Sequence, residues 1–266
     1  MGADTKQLRN RIKSVDSTLH LTRAMGLVAS SKIRRANDAM IKGRAYALAV
    51  DEVVGMLTSC PDCSRSPYLA QREEGRIRYV VIAGDRGLAG GYNANIFRLM
   101  RDLPDGEVYP IGKRACERYH GPMLHAEDYT YQDAAALARQ LCDEFAAGEF
   151  DKLGIVSTKY VSMLTQEAQV EWILPREKGE KNDTGIVVEP DETTMLGAVI
   201  HEYVAGKLMA AVRESFASEV AARRMAMDSA GKNAQEMIDS LQLEYNRARQ
   251  GAITQEITEI VAGSGQ

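Results

Sequence analysis

The chain has 266 residues and a formal net charge of -4, with 26% charged and 6% aromatic residues. That length allows one or two domains, and no stretch reads as a signal peptide or as a spanning run of about 18 apolar residues, so a cytosolic chain is expected unless a partner holds it at a membrane. The charge is uneven: residues 1–50 carry ten Lys and Arg against three Asp, a balance of +7 (10 minus 3), which leaves -11 (-4 minus 7) for the rest. Tyr46 is the only aromatic in those fifty residues. A basic helix serving an acidic protein partner is therefore favoured over a nucleic-acid binder, which needs aromatic stacking platforms among its cations.

Neither end contains proline: the first is Pro61 and the last Pro190. An interior proline costs a helix ~3 kcal/mol, so residues 1–60 and 191–266 can each form one helix. Alternating steps of four and three from Leu8 reach Ile12, Val15, Leu19, Thr22, Gly26, Ala29, Ile33, Ala36, Met40, Gly43, Ala47, Val50, Val54 and Leu57 without meeting a charge. The same walk from Leu196 to Ala252 meets only Arg213 and Arg224. A spacing that averages 3.5 keeps one stripe against a partner helix, so the ends are predicted to pair as an antiparallel coiled coil, each helix ~80 to 105 Å long. Small seam residues such as Gly26, Ala36, Gly43, Gly206, Ala210 and Gly231 imply a thin pair. Leu and Ile would bury more apolar area at ~25 cal/mol per Å², so thinness is favoured here over stability.

Cys60 and Cys63 have a metal-like or redox-like spacing, but a structural zinc needs a second pair. Cys116, His120 and His125 match no ligand pattern. Neither cluster is expected to bind metal, and no cofactor is called for.

Between the long helices the period changes. Residues 77–83 read as a strand, followed by a Gly-rich turn and a helix that Asn93 can cap, carrying Ile96, Leu99, Met100 and Leu103. A second strand is expected at 108–112, where Pro110 argues for an edge, and a short helix at 113–119. Residues 133–147 form a helix with Ala134, Leu137, Leu141 and Phe145 on one face, ended by Gly148; 153–157 is a further strand. From 164 to 174, Leu164, Ala168, Val170, Trp172 and Leu174 alternate with polar residues, which predicts a half-exposed strand added antiparallel. The expected fold class is thus α/β, with a small Rossmann-like domain at 76–175 inserted between coiled-coil helices at 1–60 and 191–266.

The loop from Gly84 to Gly91 sits where nucleotides often bind, but Gly84 and Gly87 are three apart, and the Gly-Lys-Ser/Thr of phosphate loops is absent. A structural turn is expected, with Asp85 and Arg86 paired. No hydrolase elbow or zinc-protease motif occurs, so the chain does not read as an enzyme. A nucleotide-binding enzyme and a coiled-coil adaptor remain the alternatives.

Several motifs are family-specific: RIKSV at 11–15, LTRAM at 21–25, VASSK at 28–32, GDRGL at 84–88 with Gly90 and Gly91, YNRARQ at 245–250, ITQE at 253–256 and EIV at 259–261. In order and over the whole chain they resemble the gamma subunit of F-type rotary ATP synthases. The resemblance implies a central-stalk rotor, not itself catalytic, inside a ring of three alpha and three beta subunits. It further implies an epsilon subunit and a membrane c-ring as partners, and a peripheral position on the cytoplasmic face of a bacterial membrane. Carried over by motif, Met25, Lys32, Arg34, Arg35, Arg223, Arg249, Gln250, Thr254 and Glu256 would meet the catalytic ring, and Ile186, Val188 and Glu189 the epsilon subunit. Ala89 stands where many members carry Cys and Ser264 where Ala is usual, and the cysteine-bearing insert of the chloroplast form is absent. Redox regulation is therefore not expected.

Overall fold

The end helices are continuous: α1 spans Gly2–Ser59 and α5 spans Glu192–Gly263 in a computed structural model that describes residues 2–72, 75–179 and 188–263. By contacts the chain divides into two compact units, one of residues 1–29 with 223–266 and one of residues 30–222. In the first unit Gly26 meets Met227, Gly231 meets Thr22, and Leu19 clusters with Ala234 and Ile238. In the second, Gly43 lies against Ala210, and Gly206 against Tyr46 and Ala47. Within each unit one number rises as the other falls, so the pairing is antiparallel.

The seam predicted from spacing is the seam observed. Every residue of the walk from Leu8 to Leu57 is buried or half-buried, as is every residue of the walk from Leu196 to Ala252. The two arginines that break it have local reasons. The Arg224 Nη1 donates to the Gly26 carbonyl (3.1 Å), while Arg213 lays its stem across Gly43 and points Nη2 at the Tyr129 carbonyl (3.5 Å). Small residues opposite them leave room for these side chains, and their charges reach backbone carbonyls instead of apolar packing.

The second unit also holds the α/β region. Its elements are β1 (Ile77–Ile82), α2 (Tyr92–Asp102), β2 (Glu107–Ile111), α3 (Lys113–Tyr119), α4 (Tyr131–Ala146), β3 (Lys152–Tyr160) and β4 (Gln166–Leu174). The sheet runs β2-β1-β3-β4, with the first three strands parallel and β4 antiparallel to β3. Pro110 lies on β2, an edge strand, where its missing N–H costs no ladder bond.

One face of the sheet, with Val80, Ile82 and Ile155, packs on α4 and on Leu196, Ile200, Val204 and Leu208 of α5. The other, with Tyr79, Val81 and Val156, packs on Ile96 of α2 and Ala115 of α3. An 18-residue window of α5 is apolar enough to cross a membrane by length and composition, and 56% of it is buried inside the structure. This is core-helix behaviour.

Three local expectations need correction. First, Asn93 does not cap α2; the N-cap is Gly91, and Asn93 Oδ1 instead accepts the Gly84 N–H (2.8 Å). The amide thereby ties the preceding turn to the helix. Second, in α4 the buried face is Ala134, Ala138, Leu141 and Phe145, with Leu137 only partly buried; a capping box between Thr130 and Asp133 starts this helix two residues earlier than expected, at Tyr131.

Third, β4 does not keep one inner face from 164 to 174. Leu164 is 75% exposed in the hairpin turn, and Trp172 is 45% exposed. A bulge sets Leu174 opposite Leu153 and Trp172 opposite Gly154, leaving Ile173 as the extra residue. An extra residue shifts the alternation by one. Ala168 and Val170 therefore pack on the α2 side, whereas Leu174 enters the α4 side.

Candidate partner-binding surfaces

The residues expected to meet partners lie almost entirely on α1 and α5. In the first unit, Met25 and Arg223 are half-buried. Arg249, Gln250, Thr254 and Glu256 are all exposed on the last turns of α5. Gln250 and Thr254 are one turn apart, and the Thr254 hydroxyl donates back to the Gln250 backbone carbonyl (2.9 Å), which satisfies it locally.

In the second unit Arg34 and Arg35 are exposed. Arg35 borders a groove of about 670 Å³ between α1, α4 and α5, together with Lys42, Arg213 and Glu202. Lys32 is different, because its ammonium is ion-paired with Glu127, to which Arg86 also reaches at 3.6 Å. Half-buried Val188 packs against the main core, Glu189 is exposed, and Ile186 falls outside the described residues.

Spacing arguments passed over two features. Leu21, Leu27 and Val28 in the first unit are 55 to 68% exposed, and so are Ile257, Ile260 and Val261 at 56 to 70%. Such apolar side chains clustered on a solvent face mark contact surfaces. Their signal in the sequence was present: they are the apolar residues left off the seam. The other feature is a polar cluster in which the hydroxyls of Tyr46 and Tyr131 meet the Glu202 carboxylate, joining α1, α4 and α5. Burial and these hydrogen bonds raise the Tyr131 phenol above its ordinary value, so it stays protonated and donates. No sequence periodicity brings those three residues together.

The Gly84 to Gly91 loop is built as a turn. Asp85 does not pair with Arg86; its carboxylate accepts the backbone N–H groups of Lys113 (2.9 Å), Ala126 (3.1 Å) and Glu127 (3.0 Å), while Arg86 turns to Glu127. A side chain at Gly84 would collide with the buried Glu219 carboxyl, 2.7 Å from its Cβ position. With the Asp85 carboxylate of the loop tied to amides of the neighbouring segments and the Glu219 carboxyl packed beneath Gly84, a nucleotide phosphate would meet two carboxylates here.

The ATP synthase family profile matches residues 4–265. The ATP synthase gamma chain of Moorella thermoacetica is 40% identical over 277 residues, covering 98% of each chain. The sodium-ion-specific gamma chain of Acetobacterium woodii is 35% identical, covering 99% of each. Among solved structures, a chain of the Euglena gracilis mitochondrial ATP synthase, determined with OSCP, F1 and the c-ring, superposes with a TM-score of 0.71 at 18% identity. It covers 99% of this chain and 94% of that one. These matches run from end to end, through both seams and the α/β region, and the chain belongs to the ATP synthase gamma chain family.

Proposed function

We propose that the chain is the central-stalk rotor subunit of an F-type ATP synthase, coupling ion-driven rotation of a membrane c-ring to ATP synthesis or hydrolysis in a ring of alpha and beta subunits. The observation that carries this reading is the helix pair of the first unit. Its seam is closed with small residues, while Leu21, Leu27 and Val28 on α1, and Ile257, Ile260 and Val261 on the same last turns of α5 as Arg249 and Glu256, remain exposed. Such a surface contacts a surrounding partner and need not touch nucleotide.

On this reading the chain is non-catalytic, and it acts by differential contact. An asymmetric shaft presents different side chains to chemically identical neighbours, and a partner shifts a conformational equilibrium only by the difference in its interaction free energy with the two states. Arg34, Arg35, Arg223 and Arg249 suit this role, because a guanidinium forks onto carboxylates bidentately. Met25, Lys32, Gln250, Thr254 and Glu256 complete the ring-facing set, and Val188 and Glu189 the epsilon-facing one. Residues 76–175 then form the part that meets epsilon and the c-ring, with the helices at 1–60 and 191–266 as the stalk. The assembly holds the chain peripherally at the cytoplasmic face of a bacterial membrane.

Co-expression with alpha and beta subunits tests the reading. A stable complex should form, with ATP hydrolysis well above that of alpha and beta alone. Failure to co-assemble, or assembly with no stimulation, overturns it.

A further inference from the structure

The turn that follows α1 and the first turn of α5 bring together side chains that are far apart in sequence. The Cys60 thiol and carboxylate oxygens of Asp62 and Glu192 all lie within 4.8 Å of one another. Cys60 and Glu192 are half-buried and Asp62 is exposed. Among the described residues neither carboxylate has an ion-pair partner. Like charges held this close repel, and a bound cation relieves that repulsion. The two segments are also fastened to each other, since the Thr193 hydroxyl donates to the Asp62 carbonyl (3.4 Å).

We propose that Cys60, Asp62 and Glu192 form a zinc(II) site with three protein ligands and a fourth position open to water. The donor set selects the metal. A thiolate disfavours magnesium and calcium, which take oxygen ligands, whereas zinc accepts sulfur and carboxylate oxygen together. Bonds of about 2.0 to 2.3 Å around a tetrahedral ion separate ligand atoms by roughly 3.3 to 3.8 Å, so the observed cluster needs only small side-chain rotations to close. The positive end of α5 opposes a cation with about half a charge, and three anionic ligands outweigh it.

Binding converts the Cys60 thiol to a thiolate bonded to zinc and releases its proton to solvent, so affinity falls as the pH is lowered. The missing second Cys pair that argued against zinc is replaced here by carboxylates, one of them 130 residues downstream (192 minus 62). The bound ion would staple the chain leaving α1 to the start of α5.

The test uses the full, reduced chain with cobalt(II) as the optical probe and zinc(II) as the competitor. One equivalent should give a thiolate-to-cobalt charge-transfer band that zinc displaces. The band should vanish in Cys60→Ser, and affinity should fall roughly tenfold or more in Asp62→Asn and in Glu192→Gln. Cys142→Ser, altered in the core of α4, should retain the band, and far-ultraviolet circular dichroism checks that each variant folds. The proposal is overturned by the absence of a band or by binding indifferent to both carboxylate variants. A band that follows Cys63→Ser but ignores Asp62 and Glu192 also overturns it, since that marks a thiol pair alone.

Discussion

Asp151 is fully buried and accepts from Arg76 three times: from the backbone N–H (2.9 Å), from Nε (3.2 Å) and from Nη2 (3.2 Å). These bonds hold its carboxyl below the usual carboxylate range, because they favour the charged form. A carboxyl lowered on folding stabilises above its unfolded value and loses that contribution as the pH falls through the folded one. Asp151→Asn should therefore cost roughly 1.5 to 3 kcal/mol at neutral pH, with a gap to wild type that narrows in acid; urea titrations at the two pH values check both statements. Gly112 makes a second residue-scale prediction. Its φ is +90° and a Cβ there would sit 1.9 Å from the Ala83 carbonyl oxygen, so Gly112→Ala should lose roughly 3 kcal/mol or more in thermal melts. Asp85 was legible as a turn residue and Asn93 was read as a helix cap, but their actual partners at 84, 113, 126 and 127 were not legible, because these are fixed only when β1, β2 and α3 assemble.

For the helices, the seam was readable because its period is a local property of the chain, and each seam position is buried by its neighbour regardless of side-chain size. Gly43 tests how close that approach is. Its Cβ position lies 3.5 Å from the Ala210 Cα, ordinary contact for a methyl group and too near for anything larger. Gly43→Ala should be close to neutral or raise stability by roughly 0.5 to 1 kcal/mol through helix propensity, whereas Gly43→Leu should lose about 1 to 3 kcal/mol by overpacking. Equal stabilities for the two variants in chemical denaturation would show that the pair is loose at this level. In the sheet, β4 was legible as a half-exposed antiparallel strand, but the side taken by Leu174 was not. That side depends on a bulge formed against Leu153 and Gly154, which no alternation within 164–174 encodes.

At the scale of the whole molecule the prediction concerns Arg249, exposed on the last third of α5. Arg249→Ala should leave the isolated fold within about 0.5 kcal/mol of wild type, as surface substitutions usually do. In the reconstituted complex it should weaken assembly or coupled turnover by roughly tenfold, the scale of an interfacial arginine. The pair of measurements, melting of the free chain and ATP turnover of the complex, separates a contact role from a folding role. Equal turnover and assembly for variant and wild type would count against the contact.

The sequence by itself determined the proline-free helices, their shared seam, the α/β class of the middle and, through motifs spread from 11 to 261, the family. All of these rest on periodicity, propensity or residue order, which are carried along the chain. Tertiary structure alone decided which face Leu174 enters, that Asp85 ties its loop to the amides of Lys113, Ala126 and Glu127 with Glu219 packed against Gly84, and that Cys60 and Asp62 meet Glu192. Each of those depends on residues distant in sequence being brought within a few ångströms, and no local pattern specifies that.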